Sequence, residues 1–185
     1  VVAGSTRQHH ELVDGQQRFA TFLMLVVQLK QVMRALVNSI DPAADQLIQF
    51  LNETANLLET RFERQRDRIN LQWMTVPRVQ LSLPDHEFFE SLLAGNNPQA
   101  TRKSHELLQG AFDAIGRHLQ SLEQQEADDT VKTTLLENVL KILEEDWTVI
   151  HMAAQDREDA YMLFQVLNDR GKSLTEGELL PATTL

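Results

Sequence analysis

The feature of this chain that most restricts its fold is a long apolar run. Phe19, Phe22, Leu23, Val26, Val27, Leu29, Met33 and Leu36-Val37 recur at helical spacing, with Lys30 embedded among them. They extend for roughly five turns. Between positions 22 and 29 apolar side chains cover most of the circumference, and a helix apolar on several sides needs neighbours on several sides. The run therefore predicts the central helix of a core. Its longest strongly apolar stretch, Phe22 to Val27, is far shorter than the roughly 20 residues of a membrane span, so no membrane partner is expected.

The rest of the chain supplies elements to surround that helix. Val1 to Thr6 and Glu11 to Val13 read as short strands. Asp41-Pro42 reads as an N-cap followed by proline at the first helical position, opening an amphipathic helix with Leu47, Ile48, Leu51, Leu58 and Phe62. Ile69 to Trp73 and Val79 to Leu83 alternate in polarity and predict paired strands. Asp85 is expected to cap a short helix carrying Phe88, Phe89, Leu92 and Leu93, which Gly95 to Pro98 breaks. Helices follow over about 99–124 and 130–144, joined by a turn at Glu126 to Asp129. Trp147 to Met152 reads as a strand and Arg157 to Leu167 as a helix. No repeat or low-complexity segment is visible. These elements make one mainly helical domain with a few short strands, of the α+β class, spanning 1–185.

Composition narrows the chemistry. The 185 residues are 42% apolar and 24% charged, as in a folded globular protein. With no cysteine, disulfides and thiolate chemistry are excluded, and zinc would need histidine and carboxylate ligands. This suits the cytoplasm. No basic segment leading into an apolar stretch and a cleavage site opens the chain, so no signal peptide is expected. The opening Val-Val-Ala-Gly without methionine reads as a piece of a longer protein. Net charge is −10, which argues against generic coating of duplex DNA. Charge is uneven, however: Arg61, Arg64, Arg66 and Arg68 crowd one stretch, with Arg78 nearby. A solvated helix face is the plain explanation of such runs; a phosphate-contacting patch is the functional one. His9-His10, His86, His105 and His118 read as solvated or helix-surface residues, with no spacing suited to a metal.

Two polar clusters at helix ends carry what the sequence says about function. Asp14-Gly15-Gln16-Gln17-Arg18 stands where an extended segment meets the central helix. First-turn amides favour an anion, Gly15 lets backbone approach closely, Arg18 can fork onto phosphate oxygens, and Asp14 could hold magnesium or position water. A capping aspartate, a turn glycine and a surface arginine explain the same residues without a ligand. The segment lacks the glycines and lysine of the P-loop and the dinucleotide fingerprint. Asn168-Asp169-Arg170-Gly171-Lys172-Ser173 follows a helix bearing Tyr161, Phe164 and Leu167. There Gly171 suits the left-handed C′ position, and Arg170 and Lys172 suit a helix C-terminus. Asn168 and Asp169 suit it less, which favours a site.

Leu12 to Phe22, with Asp14-Gly15-Gln16-Gln17-Arg18 at its heart, resembles the signature of the N-terminal domain of GmrSD-type modification-dependent restriction proteins. Ala160 to Thr175 resembles that family's second signature, Phe-x-x-Leu-Asn-Asp-Arg-Gly. Arg78 to Leu81, Asp85, Phe88-Phe89, Leu92-Leu93, Ser104 and Ala111-Phe112 match its middle more loosely, so the resemblance spans essentially the whole chain. It implies a ParB/sulfiredoxin-like core with a helical elaboration, and nucleotide binding or NTP hydrolysis that regulates restriction of foreign or modified DNA. Carried over by position, Asp14, Gln16, Gln17 and Arg18 would be catalytic, with Asp14 on the metal. Gly15, Arg18, Asn168, Asp169, Arg170 and Gly171 would line the nucleotide pocket. Magnesium and a nucleoside triphosphate are the implied cofactors, and DNA and a nuclease domain or subunit the partners of the full-length protein. The chain departs from the family at both ends: an opening Gln-Arg segment is not seen, and Glu178-Leu179-Leu180 is followed by Pro181-Ala182 where Lys-Asn is common. No HNH segment is present, so no nuclease activity is expected of this chain. The alternatives are a non-catalytic DNA-binding scaffold using Arg61, Arg64, Arg66, Arg68 and Arg78, and a helical interaction domain whose clusters pair with each other, Asp14 to Arg170.

Overall fold

The computed structural model describes residues 11–12, 15–149, 154 and 156–169. Among the described residues, six α-helices and one hairpin follow in the order α1 (Gln16–Val37), α2 (Asp45–Leu58), β1 (Arg64–Ile69), β2 (Gln72–Pro77), α3 (Leu83–Leu93), α4 (Lys103–Gln124), α5 (Asp129–Lys141) and α6 (Arg157–Asp169). Single π-helical turns, Glu59–Glu63 and Ile142–Asp146, extend α2 and α5. The fold is a mostly helical α+β arrangement with a two-stranded antiparallel sheet. It divides into two compact units, one containing Gln16–Thr148 and the other containing Gly15 and α6.

In the first unit α1 is the core helix, packed against α2, α4 and α5. One face puts Val26, Leu29, Val32, Met33 and Leu36 against Ile40, Leu51, Leu58, Leu119, Leu136 and Leu143. Another puts Ala20, Leu23, Met24 and Val27 against Phe88, Phe89, Leu92 and Phe112. Two apolar clusters on one helix are the physical reason its sequence is apolar nearly all round. By length and composition α1 could also cross a membrane, yet most of it is buried against the other helices, as a core helix must be. Gln28 is buried too, and its Nε2 donates to the Phe112 carbonyl at 3.2 Å. Gly116 permits this approach of α1 and α4, because a Cβ there would come within 2.8 Å of Gln28 Oε1.

Several expected boundaries move. Asp41-Pro42 opens a turn and not a helix: the Asp41 carboxylate accepts from Ala43 N at 2.9 Å and its carbonyl from Ala44 N at 2.9 Å, so α2 begins at Asp45. The hairpin pairs Arg64–Ile69 with Gln72–Pro77, so the strand expected over 69–73 straddles the turn and Val79 to Leu83 is no strand. Asn70 and Leu71 both take positive φ (49° and 66°), the geometry that matches a tight hairpin to strand twist. The arginine-rich strand is hidden from a polarity pattern because its buried positions, Asp67 and Ile69, include a charge. Ser82, not Asp85, stands at the N-cap of α3. Trp147 to Val149 forms no strand, and Glu11-Leu12 carries no regular structure. Trp147 instead packs on Phe22, ring centroids 5.5 Å apart. The strand expected at Val1 to Thr6 lies outside the described residues.

The turn before α5 behaves as expected. Asp128 caps the helix, its Oδ1 accepting from Thr130 N at 2.8 Å and Val131 N at 3.1 Å. Those backbone bonds, Val131 first, hold the Asp128 carboxyl below its usual value. A carboxyl depressed in the folded state contributes stability that is present above its unfolded pKa and lost as pH falls through its folded one. Asp128→Ala should therefore lower the melting temperature at neutral pH, and the gap from wild type should shrink on acidification below about pH 4. Melting curves across that range check it.

Candidate functional site

The first cluster sits where the core helix begins. Gly15 has φ +83°, a left-handed conformation that glycine adopts without strain. Gln16, Gln17 and Arg18 form the first turn of α1, and all three are exposed. Two residues later Ala20 is buried. A polar first turn thus projects from a helix whose next turns are fixed in the core. The start of a helix carries the positive end of its dipole and outward-pointing amides. Asp14 lies outside the described residues.

The second cluster is described only in part. Helix α6 continues two residues beyond the expected Leu167, so the backbone of Asn168 and Asp169 forms its last turn. Arg170 and Gly171, and with them the Asp14–Arg170 pairing, lie outside the described residues. Among the described residues no three histidines or carboxylates gather in a way that would hold a metal.

The arginine stretch splits into two groups. Arg61 pairs with Glu144, linking the two π-helical turns, and stands over the Phe62 ring at 5.3 Å. Arg64 Nη2 is 3.6 Å from Glu90 Oε2. Arg78 donates to the Thr60 carbonyl at 2.9 Å and to Gln65 Oε1 at 3.3 Å. These three hold segments together. Arg66 and Arg68 are exposed on the hairpin.

A cleft of about 390 Å³, with no counterpart among the sequence motifs, lies beside α1, lined by Lys30, Arg34, Glu59, Glu63, Arg64 and Glu90 with Leu23 and Leu93. Lys30 Nζ is buried and reaches Glu63 Oε2 at 2.7 Å and Glu59 Oε2 at 3.4 Å. Arg34 adds a bond to Glu59 at 2.9 Å. Burial alone would push the Glu59 carboxyl up; the Arg34 hydrogen bond and the charges of Lys30 and Arg34 outweigh it and leave it below its usual value. Three cations meet three carboxylates here, so the network pins the first π-helical turn to α1. The one sequence signal was a lysine inside the most apolar helix.

His105 corrects the surface assignment of the helix histidines. It is buried, stacked on Phe88 with centroids 4.0 Å apart and planes 6° from parallel. Thr101 N donates to its Nδ1 at 3.3 Å, and Nε2 lies 3.3 Å from the Pro84 carbonyl and 3.4 Å from Asp85 Oδ1. The ring joins the starts of α3 and α4. Ser104 Oγ donates to Asp85 at 2.7 Å and not to the imidazole, so these three do not form a nucleophile relay. His86 is half-buried and His118 is exposed.

Against known families, the chain matches the model of the GmrSD restriction endonuclease N-terminal domain over residues 1–185. The chain belongs to this family. No curated protein matches it in sequence. Membership makes it a domain of a restriction protein and confirms the resemblance carried by the two signatures. In this GmrSD N-terminal domain Gln16, Gln17 and Arg18 of the first signature begin the core helix, and the second signature, as far as Asp169, belongs to α6.

Proposed function

We propose that this GmrSD N-terminal domain is a nucleotide-binding regulatory domain of a prokaryotic restriction protein, acting in the cytoplasm. The observation that carries the reading is the start of α1, where a left-handed glycine precedes three exposed polar residues on a helix that is otherwise mostly buried. The nucleotide phosphates would lie against that first turn, where the dipole favours an anion. Arg18 would neutralise phosphate charge, and Gln16 and Gln17 would orient phosphate oxygens or water. Asn168, Asp169, Arg170 and Gly171 are proposed as further nucleotide-contacting residues. Magnesium would come with the nucleotide, and Asp14 is the residue of this chain that would meet it. DNA and the nuclease would be engaged by the full-length protein.

Calorimetric titration with ATP, GTP and CTP plus magnesium tests this, run beside Arg18→Ala. Removing a bidentate, charge-assisted pair of hydrogen bonds from a phosphate site should weaken binding by about 1.5–3 kcal/mol. Arg18 is exposed, so the substitution should cost no more than about 1 kcal/mol of stability, the range for a surface interaction. Unchanged affinity in the folded variant would overturn the assignment. Silence from both this chain and the full-length protein would remove the nucleotide altogether.

A further inference from the structure

The hairpin carries a surface that the nucleotide site does not use. Directly opposed residues of an antiparallel pair project to the same face. Arg64, Arg66 and Arg68 therefore share a face with Pro77, Thr75 and Trp73. The other face holds the buried Asp67, Ile69 and Val76. On the first, Arg66, Arg68 and Thr75 are exposed and the Trp73 side of the ribbon is open, that residue being 64% accessible. Arg64 is drawn aside by Glu90, but among the described residues no carboxylate pairs with Arg66 or Arg68.

The residue types and their placement restrict the partner. This face carries only positive charge in a chain whose net charge is −10, so its complement is a local polyanion. Arginines two apart on one strand stand roughly 6.6 Å from each other, close to the separation of successive phosphates along a nucleic-acid strand. Trp73 lies directly across from Arg68. An exposed indole beside a guanidinium offers a flat surface to a planar base, and base–aromatic stacking is the usual means of holding unpaired strands without sequence preference. A fully paired duplex presents its bases edge-on and leaves the indole no face to cover.

We propose that the Arg66, Arg68 and Trp73 face of the hairpin binds a single DNA strand, with phosphates on the two guanidinium groups and one unstacked base on the indole. The surface is independent of the α1 site. Fluorescence anisotropy with a labelled single-stranded oligonucleotide and with its duplex, over a salt series, tests it. The single strand should bind more tightly than the duplex. The Arg66→Ala/Arg68→Ala variant should weaken binding and flatten the log–log salt slope by about 1.4, two phosphate contacts at roughly 0.7 each. Trp73→Ala should weaken single-strand binding roughly 5- to 140-fold, whereas Trp73→Phe should keep most of the affinity. Unaltered binding by either alanine variant overturns the proposal, as does a duplex preference that Trp73→Ala leaves intact. All three positions are on the surface, and unchanged melting curves verify folding. Arg66→Ala/Arg68→Ala should still bind nucleotide and Arg18→Ala should still bind the oligonucleotide, which separates failure here from failure at α1.

Discussion

Lys30→Met is expected to destabilise the folded domain by about 3–5 kcal/mol, the range for breaking one side of a buried ion pair. The ammonium lies in the most apolar helix of the chain, and its closest partner, Glu63, has a side chain only 10% exposed. Methionine fills similar space, so packing changes little. What remains is a buried carboxylate whose counter-charge has gone, and the Oε1 of Glu63 already accepts no hydrogen bond among the described residues. Glu59 loses less, because Arg34 still reaches it at 2.9 Å. Removing the orphaned charge as well should recover most of the loss, so Lys30→Met/Glu63→Gln is expected to be more stable than Lys30→Met alone. Urea unfolding of the three proteins measures both differences. A single variant as stable as wild type would show that the network contributes nothing to folding.

Phe89→Ala should cost a similar amount, about 3–5 kcal/mol, for a different reason. Phe89 is fully buried between α3 and the Ala20, Leu23, Met24 and Val27 face of α1, with Phe112 of α4 in the same cluster. Truncation removes the transfer free energy of the ring and leaves a cavity that three helices fixed by other packing cannot close. For a chain of this size the melting temperature should fall by roughly 6–20 °C. Differential scanning calorimetry checks it, and a fall of only one or two degrees would mean that α3 is not integral to the core. Because the cluster includes residues one turn from Arg18, the same variant at low temperature also reports how far the α1 site depends on that packing.

The two changes probe opposite kinds of legibility. Phe89 was readable: Phe88, Phe89, Leu92 and Leu93 at helical spacing announce an apolar face. Lys30 was not, because its partners come from the turn after α2, some thirty residues along the chain. The arginine stretch teaches the same thing. Sequence proximity offered Arg61, Arg64, Arg66, Arg68 and Arg78 as one patch, but Glu144, Glu90 and the Thr60 carbonyl engage three of them. Strand alternation leaves Arg66 and Arg68 facing outward. Trp73 joins them only through cross-strand register, which a shifted strand assignment hides. His105 looked like a surface residue because nothing nearby in sequence reveals the aromatic ring it stacks on.

The features legible in the linear chain are local and periodic. Apolar spacing set the central helix and most of the helices around it, and the turn at Glu126 to Asp129 and the Gly95 break marked boundaries where backbone chemistry acts over a few residues. The paired signatures identified the family, since order and spacing along one chain need no folding to be read. Which charges are buried and paired, where the hairpin turns, and which arginines remain outward were settled by folding in three dimensions. Those outcomes depend on groups brought together across large separations in the chain, where the cost of burying a charge and the geometry of its partner are set jointly by elements that no single stretch of sequence contains.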